Sequence, residues 1–314
     1  MRKIKSIEVR AEFGAGTKGA SLGIDAIKTA AAERKSDFFI RHESENVEVN
    51  SLNNSQNHLL EHAKRIESVY GVCSKLAAHV EKTLKQDLFP LVLSGDHSIA
   101  GGTILGLKLA YPDKKIGVIW IDAHADIHSP YTTPSGNMHG MPLAFLLNED
   151  NLESKKNDID AATIEQWDLL KNIGSIVPKI TYENIVFIGL REYEDEERSL
   201  IEKNNIKVLT VEQINEIGTE QTAKETLNYL SGCDMIYISF DVDSMDPSVS
   251  VGTGTPVPNG LSDEATSSLL KFLVQDEKVC ALEVVEVNPL LDDDNKMAKT
   301  TFKIIEEAAA VIEG

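Results

Sequence analysis

The chain is predicted to fold as an α/β protein around a central parallel sheet, on three observations. Short apolar runs recur along its 314 residues, several of them run almost without a polar side chain, and stretches of helical apolar spacing separate them. A strand covered by helices on both faces has no solvent side, so it reads as a continuous hydrophobic run rather than an alternation. Strands that alternate with helices are joined by crossovers, which makes the sheet parallel.

In chain order, the apolar runs place strands at residues 4–10, 91–94, 116–121, 185–189, 207–210, 235–240 and 281–287. Helical spacing marks an alanine-rich stretch at 22–34, a long stretch at 59–86, and further helices at 263–273 and 296–312. Residues 46–57 are polar and read as a loop, and 150–160, also polar, as an insertion. With no Pro-rich linker, repeat or low-complexity tract to mark a boundary, one domain spanning 1–314 is the simplest organisation.

Composition excludes several classes of function. Thirty-one Lys and Arg stand against 50 Asp and Glu, a net charge of -19, so neither nucleic acid nor an anionic membrane surface is an expected partner. The three cysteines, Cys73, Cys233 and Cys280, include no CxxC pair and read as buried filler in a reducing compartment. The first residues carry Arg2, Lys3 and Lys5 but no apolar core of a signal peptide, and no run approaches the roughly 20 apolar residues of a membrane span. A cytoplasmic protein is expected.

Four of the eight histidines, His97, His124, His128 and His139, fall close together, and three segments share one layout. The run at 91–94 ends in Gly95-Asp96-His97-Ser98. The run at 116–121 continues into Asp122-Ala123-His124-Ala125-Asp126. The run at 235–240 continues into Asp241-Val242-Asp243-Ser244-Met245-Asp246-Pro247. In each case a strand finishes and metal-type ligands begin at its carboxyl end, the edge where parallel sheets place their ligands. In extended backbone, residues two apart point the same way, so Asp122, His124 and Asp126 are expected to converge, as are Asp241 and Asp243. Four carboxylates and two imidazoles crowded together would repel unless cations sat among them. Oxygen-rich ligation with some imidazole suits Mn²⁺, and two such ions about 3.5–4 Å apart share and activate a water for hydrolysis. Asp96 and Asp246 neighbour turns and read as turn-forming or supporting groups rather than ligands.

From Leu91 to the C-terminus these motifs resemble the ureohydrolase superfamily of manganese hydrolases, which includes arginase, agmatinase and formiminoglutamase; the glycine-rich residues 14–23 match less well. The resemblance is nearest to arginase. It implies a three-layer α-β-α fold with a mostly parallel eight-stranded sheet, and two Mn²⁺ ions per subunit. One ion would take His97, Asp122, Asp126 and Asp241, the other Asp122, His124, Asp241 and Asp243. A bridging hydroxide would attack the guanidinium carbon, releasing urea and an amine. Residues 132–140, Thr-Thr-Pro-Ser-Gly-Asn-Met-His-Gly, resemble the arginase loop that holds the amino-acid end of the substrate. By that match His139 is the proton shuttle, Ser135 and Asn137 meet the α-carboxylate, and Thr133 belongs to the same grip. Expulsion of an amine does need an acid that titrates near neutral pH.

Glu286, in Glu286-Val287-Asn288-Pro289, would pair with the guanidinium, joining His139 and Asp126 as a catalytic group, and Thr255 would line the pocket. The chain departs from the arginase pattern at two places. His128 stands where Asn is usual, and Glu194, followed by Glu197, stands where Asp is usual. Both lie at the substrate's amino-acid end. The expected activity is therefore hydrolysis of a guanidino group, L-arginine to L-ornithine and urea, with another amidinohydrolase or formimino hydrolase (agmatinase, guanidinobutyrase or formiminoglutamase type) as the alternative. The resemblance also implies a homo-oligomer, a trimer or hexamer.

Overall fold

A computed structural model describes residues 2–49 and 60–314. Among the described residues, eight strands form one sheet: β1 (Ile4–Val9), β2 (Ser44–Asn46), β3 (Phe89–Ser94), β4 (Ile116–Ile121), β5 (Ile185–Ile188), β6 (Lys207–Leu209), β7 (Met235–Asp241) and β8 (Val279–Val285). Their order is β2-β1-β3-β8-β7-β4-β5-β6, and every pair is parallel.

Helices cover both faces. α1 (Gly23–Glu33), α2 (Phe38–Arg41), α3 (Ile66–Lys85), α4 (Ala100–Ala110), α5 (Pro142–Leu147) and α6 (Ala161–Lys171) precede β5 in the chain. α7 (Asp195–Lys203), α8 (Val211–Ile217), α9 (Thr219–Tyr229), α10 (Asp263–Leu273) and α11 (Lys296–Glu313) follow it. The core divides at the sheet. Val118 and Trp120 of β4 pack with α3, α4, α5 and α6 on one face, while Ile119 and Ile121 of the same strand pack with α1, α9, α10 and α11 on the other. This is a three-layer α-β-α fold, and it explains the uninterrupted apolar runs: both side-chain faces of the central strands are buried.

All seven strands read from the sequence are present, with ends moved by a residue or two. β8 stops at Val285 rather than at 287 because Glu286 turns the chain with φ 66°. The helix read over 59–86 starts late, at Ile66. Residues 60–65 are instead tied to the segment before His139: the Lys64 amide donates to the Gly136 carbonyl at 2.9 Å, and Arg65 takes φ 59°. Residue 59 lies outside the described residues. The polar loop read over 46–57 begins on strand residue Asn46, and its residues 50–57 also lie outside them. The polar stretch 150–160 leads into α6, with the Asp160 carboxylate capping the helix through the Thr163 amide at 2.7 Å.

Candidate active site

Strand order gathers the chemistry. β3, β8, β7 and β4 are adjacent, and each is followed at its carboxyl end by candidate site residues: His97 after β3, Glu286 after β8, Asp241 and Asp243 at the end of β7, and Asp122, His124 and Asp126 after β4. The six expected ligands meet at this edge. His97 Nδ1 lies 3.0 Å from Asp122 Oδ2, 3.0 Å from Asp126 Oδ2 and 3.2 Å from Asp241 Oδ2. His124 Nδ1 lies 3.1 Å from Asp243 Oδ2 and 3.5 Å from Asp122 Oδ1.

The residues converge, but the extended backbone expected of them is only part of the cause. The chain bends over residues 122–124, and Asp126 takes φ 51°. Asp241 ends β7 and its carboxylate accepts the Asp243 amide at 2.8 Å, so Val242–Ser244 forms a tight turn instead of continuing the strand. The Asp122 carboxylate accepts the His124 amide at 2.7 Å in the same way. Local Asx turns therefore aim the second ligand of each pair.

Electrostatics make the cluster unsatisfied as it stands. Burial resists the ionisation of Asp122, but the imidazoles of His124 and His97 hold its carboxyl far below the usual range. Burial, then the charges of Asp243 and Asp122, push Asp241 well above that range. Asp243 is pushed up to about 6 by burial and by Asp122. His97 and His124 are raised despite burial, by the carboxylates around them. Negative charge here is offset by protons on neighbouring groups and by the Arg191 guanidinium. His97 Nδ1 and Asp122 Oδ2 are buried and make no hydrogen bond although other ligand atoms stand close by. Unpartnered buried polar atoms that converge on one point fit a cation. Two sets, His97 with Asp122 and Asp126, and Asp122 with His124 and Asp243, each bring their ligand atoms within reach of one ion. The donor set, carboxylate oxygen with imidazole and no thiolate, suits a hard to borderline divalent metal.

Supporting groups that sequence reasoning did not single out hold these ligands in place. The His97 ring stacks on Trp120 at 4.0 Å with 5° between planes, and its Nε2 shares a 2.7 Å hydrogen bond with Ser239 Oγ. Arg191 donates to the backbone carbonyls of Asp243 at 2.8 Å and Val257 at 2.7 Å, clamping the turn that carries Asp243. The alternation of β7 could have pointed to Ser239, the strand's one serine, two residues before Asp241 in an apolar run. Arg191's partners, all main-chain carbonyls, leave no trace in the sequence. Asp96 and Asp246 occupy turns, as expected: Asp246 accepts the amides of Ser248 at 2.9 Å and Gly260 at 3.1 Å.

The ligands open into a pocket of about 580 Å³ that is also lined by His128, Thr133, Ser135, Asn137, His139, Glu194, Glu197 and Thr255. Thr133 Oγ1 accepts the amides of Gly136 at 2.9 Å and Ser135 at 3.3 Å, which curls the loop over the metal-type cluster. Thr255 Oγ1 donates to Asp243 Oδ2 at 3.1 Å. Glu286 stands behind His139 rather than on the pocket wall, with Oε1 3.4 Å from His139 Nδ1 and accepting the His97 amide at 3.0 Å. Burial opposes charge on His139, but Glu286 overrides it and lifts the imidazole to about 9.

At the far end, His128 Nε2 meets Glu194 Oε2 at 3.0 Å and Nδ1 meets Thr132 Oγ1 at 3.0 Å. His128 holds the Glu194 carboxyl down to about 2. Burial pushes Glu197 up to about 8, while its oxygens accept the amides of Ile127 at 3.1 Å and Glu194 at 3.2 Å.

Comparison with known proteins places this arrangement. The model of the arginase family matches residues 7–310. Arginase of Bacillus subtilis (strain 168) is 36% identical over 306 residues, covering 97% of each chain. A crystal structure of arginase from Bacillus subtilis superposes with a TM-score of 0.83 over 98% of each chain. The native structure of arginase from Bacillus caldovelox does so with a TM-score of 0.81 at 32% identity, again over 98% of each chain.

Proposed function

The chain belongs to the arginase family of hydrolases, and from that premise we propose that it converts L-arginine and water to L-ornithine and urea at a centre of two Mn²⁺ ions. One observation carries the reading: six ligand-type side chains from the ends of three strands, β3, β7 and β4, converge beneath a loop that presents His139. His97, Asp122, Asp126 and Asp241 would hold one ion and Asp122, His124, Asp241 and Asp243 the other, with Asp122 and Asp241 shared. Cations bound there offset the crowded negative charge and make water nucleophilic near neutral pH.

The chain's own groups do the rest. Ser135 and Asn137, on the loop that Thr133 curls, receive the α-carboxylate of the substrate, and Glu194 and Glu197, which His128 contacts, face its α-ammonium. Glu286, set behind His139, adds negative charge on that side of the pocket without lining it. Water adds to the guanidinium carbon, the bond from that carbon to the side-chain nitrogen breaks, and the departing nitrogen takes a proton from His139, which is recharged by the proton the added water sheds as it becomes the urea oxygen. Glu286 holds His139 at Nδ1, which leaves Nε2 as the atom that delivers the proton, and the same carboxylate favours the charged imidazole. Thr255 steadies Asp243. The family match over residues 7–310 supports a single catalytic domain, and we propose that the domain assembles as a trimer or hexamer.

A second reading, an amidinohydrolase for a different guanidino compound, is favoured by the His128–Glu194 pair, which engages the carboxylate meant for the α-ammonium. A urea-release screen with arginine, agmatine, guanidinobutyrate, guanidinoacetate and free guanidine, with ornithine assayed as the second product from arginine, decides between them. Urea and ornithine from arginine at the highest kcat/KM support the first reading; preference for a substrate without an α-ammonium supports the second.

A further inference from the structure

We propose that Asp96 is a positioning residue for catalysis: its carboxylate latches the glycine-rich segment at Gly14, and that segment in turn holds His139 by its backbone. The parallel β1–β3 ladder ends at Val9 and Ser94, but the two chains stay joined beyond it. The Gly95 amide donates to the Val9 carbonyl at 3.1 Å, and the Asp96 amide to the Ala11 carbonyl at 3.1 Å. Asp96 Oδ2 then accepts the Gly14 amide at 2.9 Å, while Oδ1 accepts the amide of Ser98 at 2.9 Å. The Asp96 carboxylate is fully buried, so this pairing is shielded from water. The next link reaches the catalytic loop: the Gly14 carbonyl accepts the His139 amide at 3.2 Å.

Residue choice agrees with this path. A Cβ at position 14 would lie 2.4 Å from Asp96 Oδ1 and 2.5 Å from Ser98 Oγ, so only glycine lets the segment close on the carboxylate. The neighbouring link is held independently, by Arg65 donating to the Ala15 carbonyl at 2.7 Å. Across the loop, the Lys64 amide donates to the Gly136 carbonyl at 2.9 Å. His139 is thus gripped between two segments far from it in sequence, and Asp96 is the side chain that fixes one of them.

The catalytic half of this inference rests on reading His139 as the proton donor; the structural half does not, and the test separates them. In the Mn²⁺-loaded full chain, Asp96→Asn and Gly14→Ala should each lower kcat for arginine by about tenfold or more, with KM and bound manganese unchanged. In a His139→Asn background the same substitutions should change kcat by less than about twofold, because the group they position is already gone. In the metal-free protein, hydrogen exchange of the amides at 133–140 should quicken by about tenfold while those of β4 stay protected. Equal losses in both backgrounds, loss of manganese, or unchanged exchange at 133–140 would overturn the latch. If His139→Asn alone leaves kcat intact, the proton-donor reading fails, and the exchange rates then decide the latch by themselves.

Discussion

Among single residues, His97 shows how a ligand-type side chain is fixed by the protein around it. Trp120 stacks on its face, Ser239 takes Nε2, and Nδ1 is left facing three carboxylates. A metal-binding histidine held at its other nitrogen keeps one tautomer and one orientation. The same crowding makes the metal-free centre costly, because burial and two neighbouring carboxylates oppose the charge on Asp241. Asp241→Asn should therefore abolish urea release, yet raise the Tm of metal-free protein by about 2–4 °C, since it removes a buried carboxyl whose ionisation its surroundings oppose. A metal-free variant that melts below the wild type would contradict that electrostatic picture. His139→Asn should lower kcat by about 10²–10⁴ with little change in manganese content, read by steady-state urea release. The six ligand-type residues were legible in the sequence because their spacing is local and each group directly follows an apolar strand. Trp120, Ser239 and Arg191 were not, because what makes them matter is a partner brought in from another strand or loop. The His128–Glu194 contact has the same character: both residues stood out as departures from a pattern, but only the fold shows that they touch.

At the scale of elements, α3 and α4 illustrate what periodicity reads well and what it misses. α3 buries one stripe, Val69, Val72, Cys73, Leu76, Ala77 and Val80, and its spacing was evident in the sequence. α4 is apolar on all sides and carries three glycines, so it has no stripe to find. Two of them, Gly102 and Gly106, let it lie close to α3, while Gly101 makes room for Phe145 of α5. A Cβ on Gly102 would come 2.8 Å from Cys73 Cα, and one on Gly106 would come 2.8 Å from the Ala77 carbonyl oxygen. Gly102→Ala should cost about 1–3 kcal/mol in urea unfolding, the overpacking outweighing the better helix propensity of alanine. Gly71 lies on α3, and a Cβ there would have no other group within 4 Å, so Gly71→Ala should stabilise by about 0.5–1 kcal/mol. If both substitutions shift the midpoint the same way, close helix approach is not what the α4 glycines serve. β2 went unread for a different reason: Ser44–Asn46 is three polar residues at the sheet edge, a strand only by virtue of pairing with β1.

At the scale of the whole molecule, strand order is what turns scattered motifs into a site, and it is also what the sequence carries least directly. Alternating strands and helices indicated a parallel sheet, but the adjacency of β3, β8, β7 and β4 follows from crossovers spanning most of the chain. Global stability holds one charge of its own. Lys179 is buried, with Nζ donating to the carbonyls of Lys171 at 2.8 Å and Ile176 at 3.0 Å, and burial pushes its ammonium down to about 8 from 10.5. Between those values the unfolded chain binds more protons than the folded one, so stability rises with pH there and is flat below. Relative to Lys179→Met, the wild type should gain roughly 2–3 kcal/mol in urea unfolding between pH 7 and pH 10.5; parallel curves would show that Lys179 is not desolvated. The most direct test of the central claim is the manganese content of the full chain after equilibrium dialysis against excess Mn²⁺. The wild type should hold two ions per chain and Asp122→Asn at most one; a wild-type protein that binds one ion or none would rule out the two-metal centre.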